Sequence, residues 1–126
     1  MIILGLDPGL ATTGYGIVEV KDRELAHRDH GIFKTFPSAL HHERLVDLNK
    51  QLDGVIRKFK PQYIGIEKLF IYKNVKTAMM VGEARGVLVL TIAKRRIPLY
   101  EYTPLQVKQA LTGYGKATKT QVQKMV

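Results

Sequence analysis

Two carboxylates occupy matched positions in this chain. Asp7 closes the apolar run Ile2–Leu6, and Glu67 closes the shorter run Tyr63–Ile66. Both runs read as strands, the first as one buried on both faces. If the two strands lie parallel and side by side, about 4.8 Å apart, both acids emerge at one sheet edge and can share a cation. Ligands of mostly parallel sheets bind at that edge, outside the carboxyl ends of the strands. Carboxylate oxygens suit Mg²⁺, with Mn²⁺ as a substitute. Two such ions about 4 Å apart activate a water and stabilise the leaving oxygen in phosphodiester hydrolysis. Each acid alone also has a plainer reading, Asp7 as the turn-former before Pro8-Gly9 and Glu67 as a solvated strand end. Only the pair, in a basic chain, puts the metal reading ahead.

The 126 residues carry 20 Lys and Arg against 11 Asp and Glu, a formal charge of +9. So large an excess points to a polyanionic partner rather than to solubility alone. An anionic membrane is the other candidate surface. No basic amphipathic helix with a large aromatic face supports it, and no apolar run is long enough to cross a bilayer. Nucleic acid therefore leads and a membrane partner is not expected. With no cysteine, disulfides, thiolate metal sites and cysteine nucleophiles are excluded. The start MIILGLDPG lacks the basic segment and cleavage site of a signal peptide, so a cytoplasmic location is expected.

Phe70-Ile71-Tyr72-Lys73-Asn74 follows Glu67 closely. Aromatics beside lysines suit base stacking and phosphate contact, and Phe70, Tyr72, Lys73 and Lys76 are the expected DNA-contacting residues here. A hydrophobic lip packed on the next helix serves equally well for Tyr72. Lys108, Lys116 and Lys119 surround a second loop and are expected to anchor phosphates, against the alternative of a solvated helix face for Lys116 and Lys124. Lys94-Arg95-Arg96 is placed to complement a helix C-terminus. His27, His30, His41 and His42 show no zinc-like arrangement and are expected at the surface.

The positioning elements follow from periodicity and punctuation. Ile2–Leu6, Gly14–Val20 and Leu25–Phe33 read as an antiparallel meander, with turns at Asp7-Pro8-Gly9 and Lys21-Asp22-Arg23-Glu24. Pro37-Ser38 opens a helix whose Leu45, Leu48, Leu52, Val55, Ile56 and Phe59 recur at helical spacing, and Pro61 closes it. A right-handed crossover through this helix is expected to lay the Tyr63–Ile66 strand parallel to one of the first three. Asn74 to about Lys94 is the longest helix. It is apolar nearly all round its second half, with Ala78, Gly82, Gly86 and Ala93 permitting close approach, so part of it is expected at a two-fold interface. Ile97–Tyr100 is the fifth strand. Thr103-Pro104 starts a further helix ended by Gly113, and Thr118 caps a last one. Gln121–Val126 has no stop signal, so that helix is expected to continue. The fold class is α/β: one domain over residues 1–126, a five-stranded mixed sheet flanked by helices.

Gly5-Leu6-Asp7-Pro8-Gly9 and Thr13-Gly14-Tyr15-Gly16 resemble the opening hairpin of RuvC-family resolvases. Ile66-Glu67-Lys68-Leu69-Phe70 is similar to their second acidic motif, and Gly82-Glu83-Ala84-Arg85-Gly86-Val87 to their central helix. Glu101-Tyr102-Thr103-Pro104 with Gln106-Val107-Lys108-Gln109, and Lys119-Thr120-Gln121-Val122-Gln123, follow in family order. The resemblance implies a ribonuclease-H-like fold and a homodimer. It implies magnesium-dependent nicking of opposed strands at four-way (Holliday) junctions in recombination and repair, and a branch-migration helicase complex as partner. It makes Asp7 and Glu67 the first two of four catalytic acids, the others belonging to a later helix beyond residue 126. It gives Phe70 a part in opening the junction, and Lys108 and Lys119 a part in stabilising charge at the cleaved phosphate. With two of four acids, these 126 residues are expected to bind junctions but cut them poorly or not at all. Leu10 departs from the family, many of whose members carry a hydroxyl residue there. Two alternatives stand beside this: a non-catalytic nucleic-acid-binding relative of the same fold, and a fragment of an actin-like or sugar-kinase-like ATPase. The ATPase needs a second phosphate motif and an adenosine pocket, for which the chain is short.

Overall fold

The N-terminal apolar run forms the middle of a sheet, as its composition demands. In a computed structural model, residues 1–68 and 74–103 are described. Their elements are β1 (Ile2–Asp7), β2 (Thr12–Lys21), β3 (Glu24–Lys34), α1 (His41–Phe59), β4 (Tyr63–Glu67), α2 (Val75–Lys94) and β5 (Leu99–Tyr102). The sheet has five strands in the order β3-β2-β1-β4-β5. β1 pairs antiparallel with β2 and parallel with β4, and β4 pairs parallel with β5. The meander, the mixed sheet and the parallel return after α1 are all as expected.

Alternate residues of a strand share a face. Leu4 and Leu6 of β1, Ile17 of β2, and Ile64 and Ile66 of β4 are fully buried on one face. Leu48, Leu52 and Ile56 of α1 and Ala84, Leu88 and Ile92 of α2 complete that core. The spacing of these helical residues is what lays both helices on the same side of the sheet. The opposite parity, Gly5, Asp7, Gly65, Glu67 and Tyr102, belongs to the other face.

The β2–β3 turn falls where it was expected, and two other boundaries differ. The β2–β3 turn is carried by Asp22 and Arg23, both with positive φ, as a tight twisted hairpin requires. α1 does not open at Pro37-Ser38. Thr35 N–H still bonds Ala11 O, and Ala39 N–H closes a turn on Phe36 O, so the helix begins at His41 with Leu40 as an N-cap that offers no side-chain bond. At its other end Lys60 takes the left-handed conformation and Pro61 follows, as expected. Asn74 caps α2 by accepting from Thr77 N–H at 3.3 Å. β5 is Leu99–Tyr102 rather than Ile97–Tyr100. Arg96 turns left-handed at the helix exit, so Ile97 and Pro98 are spent in the connection, and pairing starts where Ile64 N–H bonds Pro98 O. The shift brings Tyr102 opposite Glu67.

The Lys94-Arg95-Arg96 run does more than complement a helix end. Arg95 binds Asp53 of α1 through Nη2 at 2.7 Å and Nε at 2.9 Å, tying the two helices together. The expected helices after Thr103 lie outside the described residues. Among the described residues no helix is long and apolar enough to cross a membrane.

Candidate active site

β1 and β4 run in register, Leu6 opposite Ile66, so the next residue of each, Asp7 and Glu67, stands beside the other at the carboxyl edge of the sheet. Gly14 of β2 pairs with Asp7, and a Cβ there would lie 3.7 Å from that of Asp7. The strand on that side thus adds no side chain to crowd the acids.

The loop after Asp7 is held from two sides. Thr13 Oγ1 donates to Gly9 O at 2.5 Å and accepts from Gly9 N–H at 3.2 Å. A Cβ on Gly9 would sit 2.2 Å from the Thr12 carbonyl oxygen, so only glycine lets the loop close this tightly. Thr35 Oγ1 donates to Leu10 O at 2.6 Å and accepts from Arg44 Nε at 3.0 Å. Thr13, Thr35 and Arg44 are all buried. Sequence reasoning passed over Thr35 and Arg44. Arg44 stands among the helical positions of α1 that pack inward, and a charged residue at such a position is the signal that points to it.

The electrostatics mark the two acids as a unit. Burial pushes the Glu67 carboxyl up from 4.5 to about 7, and its hydrogen bond to Asp7 and the Asp7 charge push the same way. Two carboxylates this close do not both ionise easily without a cation between them. Burial, then the charges of Glu67 and Asp7, also push the Tyr102 phenol above its usual range. Its hydroxyl donates to Leu6 O at 3.2 Å. A pair of hard-oxygen donors side by side fits Mg²⁺, which is bound through one or two carboxylates together with substrate phosphates. Among the described residues no group of three or more His, Cys, Asp or Glu is arranged for a metal.

Of the other expected site residues, Lys76 is exposed in the first turn of α2. Phe70, Tyr72, Lys73, Lys108, Lys116 and Lys119 lie outside the described residues. His27, His30 and His42 are exposed, and His41 is half-buried, so the surface expectation for the histidines holds. His27 Nε2 and His30 Nδ1 are 2.9 Å apart, and His41 Nε2 lies 2.8 Å from Glu83 Oε2. Arg85 bonds Glu101 at 2.6 Å, which joins α2 to the strand beside Glu67. The exposed face of α2 carries Met79 and Leu90, 62% and 59% accessible, with Gly86 between them.

The sequence matches the family described as crossover junction endodeoxyribonuclease RuvC over residues 3–126. It is 50% identical to the crossover junction endodeoxyribonuclease RuvC of Caldicellulosiruptor saccharolyticus over 127 residues, covering 100% of this chain and 76% of that protein. Its likeness to the same-named protein of Ruminiclostridium cellulolyticum is 50% over 126 residues, with the same coverage. Among solved structures, Thermus thermophilus RuvC in complex with Holliday junction substrate superposes with a TM-score of 0.86 at 34% identity, covering 100% of this chain and 77% of that one. The yeast mitochondrial resolvase Ydc2, at 17% identity and a TM-score of 0.68, shares the fold. The ribonuclease-H-like architecture expected from the motifs is therefore the architecture observed.

Proposed function

This chain belongs to the RuvC family of crossover junction endodeoxyribonucleases, and from that premise we propose that Asp7 and Glu67 are the metal-holding acids with which it resolves Holliday junctions. The observation that carries this is the parallel pairing of β1 with β4, which sets the two carboxylates side by side. The family match over residues 3–126 takes the place of the ATPase alternative.

In this reading the two carboxylates hold Mg²⁺, or Mn²⁺ in its stead, at the sheet edge. Bound there, the ions supply an activated water and charge stabilisation at the leaving oxygen. The protein's own part is to keep Asp7 and Glu67 aligned. Thr13 and Gly9 fix the backbone after Asp7, and the Thr35–Arg44 pair fixes it one residue further on. Lys76, exposed at the start of α2, contacts backbone phosphate. Phe70, Tyr72 and Lys73 contact the junction, Lys108 and Lys119 stabilise charge at the cleaved phosphate, and Lys116 anchors backbone phosphate. The excess of positive charge makes junction affinity fall with salt.

The working form is a homodimer, since two opposed nicks need two equivalent sites. The outward stripe of Met79, Gly86 and Leu90 on α2 supports that face as the contact. Leu90→Glu is expected to convert the dimer to monomer in sedimentation. A branch-migration helicase complex is the expected partner in recombination and repair, and the cytoplasm its setting.

The assignment is tested by nicking of a synthetic four-way junction in Mg²⁺. The full-length protein is expected to nick symmetrically, and Glu67→Gln to bind the junction without nicking it. Nicking by Glu67→Gln at the parent rate would sink the assignment, and a parent protein that binds without nicking would favour the non-catalytic alternative.

A further inference from the structure

Tyr102 stands opposite Glu67 in the β4–β5 register, and its backbone is held firmly, its carbonyl accepting from Lys68 N–H at 2.8 Å. Its side chain does not simply cover the end of the sheet. It leans across β4 and places its hydroxyl 3.2 Å from the carbonyl oxygen of Leu6 on β1, the residue immediately before Asp7. The path is open because β4 carries Gly65 at that point. A Cβ on Gly65 would meet Tyr102 Cε1 at 3.0 Å and Cδ1 at 3.3 Å. A ring needed only for packing has no use for a hydroxyl. Here the hydroxyl joins the fifth strand to the first, across the strand that carries Glu67.

We propose that Tyr102 is a positioning residue. Its hydroxyl, passing over Gly65 to the Leu6 carbonyl, holds the end of β1 so that the Asp7 carboxylate stays in register with Glu67 for cation binding. The inference rests on the reading of Asp7 and Glu67 as metal-holding acids. Groups that orient metal ligands from behind lower metal affinity or activity by about 10- to 100-fold when removed. Tyr102 acts on the Asp7 main chain from one side, as Thr13 and the Thr35–Arg44 pair act on the loop that follows it.

The test uses full-length protein without DNA and follows Mn²⁺ binding by the electron paramagnetic resonance of the free ion. Tyr102→Phe keeps the ring and removes the bond to Leu6. It is expected to weaken Mn²⁺ binding by about tenfold, to raise the Mg²⁺ concentration needed for half-maximal nicking to match, and to leave melting temperature and junction binding in Ca²⁺ near parent values. A purely structural tyrosine would move the melting temperature and not the metal titration. Gly65→Ala, which pushes the ring aside, is expected to reproduce the shift in the parent and to add little in the Tyr102→Phe background. Mn²⁺ binding lost in Asp7→Asn but unchanged in Tyr102→Phe overturns this inference alone. Mn²⁺ binding unchanged in Asp7→Asn overturns the carboxylate reading and this inference with it.

Discussion

The two halves of the sheet are built to opposite specifications. β4 and β5 are 5 and 4 residues long and lie parallel to β1, whereas β2 and β3 are 10 and 11 residues long and form an antiparallel hairpin. β3 is exposed along most of its length and buries only Phe33, while β4 buries Ile64 and Ile66 completely. The exposed edge strand carries Glu24, Arg28, His30 and Lys34, which discourage pairing with other chains. The parallel half brings Asp7 and Glu67 together for a geometric reason. Parallel neighbours end at the same edge, so their last residues meet. An antiparallel neighbour presents its beginning there, and β2 offers Asp7 only Gly14.

Substitutions can break this contrast, beginning with the acids. Asp7→Asn is expected to reduce junction nicking by about a thousandfold, the scale of the several kcal/mol that a bound cation contributes. Glu24→Gln, a carboxylate lost from the hairpin, is expected to leave the rate unchanged. Equal losses from both would erase the distinction between the halves. Next comes packing. Ile66→Ala in β4 is expected to lower unfolding free energy in urea by about 3 kcal/mol, as deletion from a closed core does.

The pH dependence sharpens the comparison further. Glu67 holds its proton up to about pH 7 in the fold but releases it near 4.5 when the chain unfolds. Its contribution to stability is therefore complete below 4.5, declines as pH rises, and is gone above about 7. Glu67→Gln is expected to flatten that slope in metal-free protein, as read from melting temperature against pH. Because the cation must displace the proton, Mn²⁺ affinity is expected to rise with pH up to about 7 and then level off. The smallest effect belongs to the hairpin: Leu25→Ala, at a side chain 50% exposed, is expected to change stability by no more than about 0.5 kcal/mol.

Much of this molecule was legible along the chain because its signals are local. Apolar runs, helical spacing and turn residues depend on near neighbours, so the number, type and order of the described elements followed from the sequence by itself. So did the choice of Asp7 and Glu67, each at the end of an apolar run. Boundaries slipped where distant contacts intervened. The Thr35–Ala11 bond delayed α1, and the left-handed exit at Arg96 moved β5 by two residues. Tertiary structure alone decided that β1 lies next to β4, that Arg44 reaches Thr35, and that Tyr102 crosses Gly65 to Leu6. Those relations join residues far apart in the chain. No local pattern encodes them, because they arise only when separate strands and helices are packed against one another.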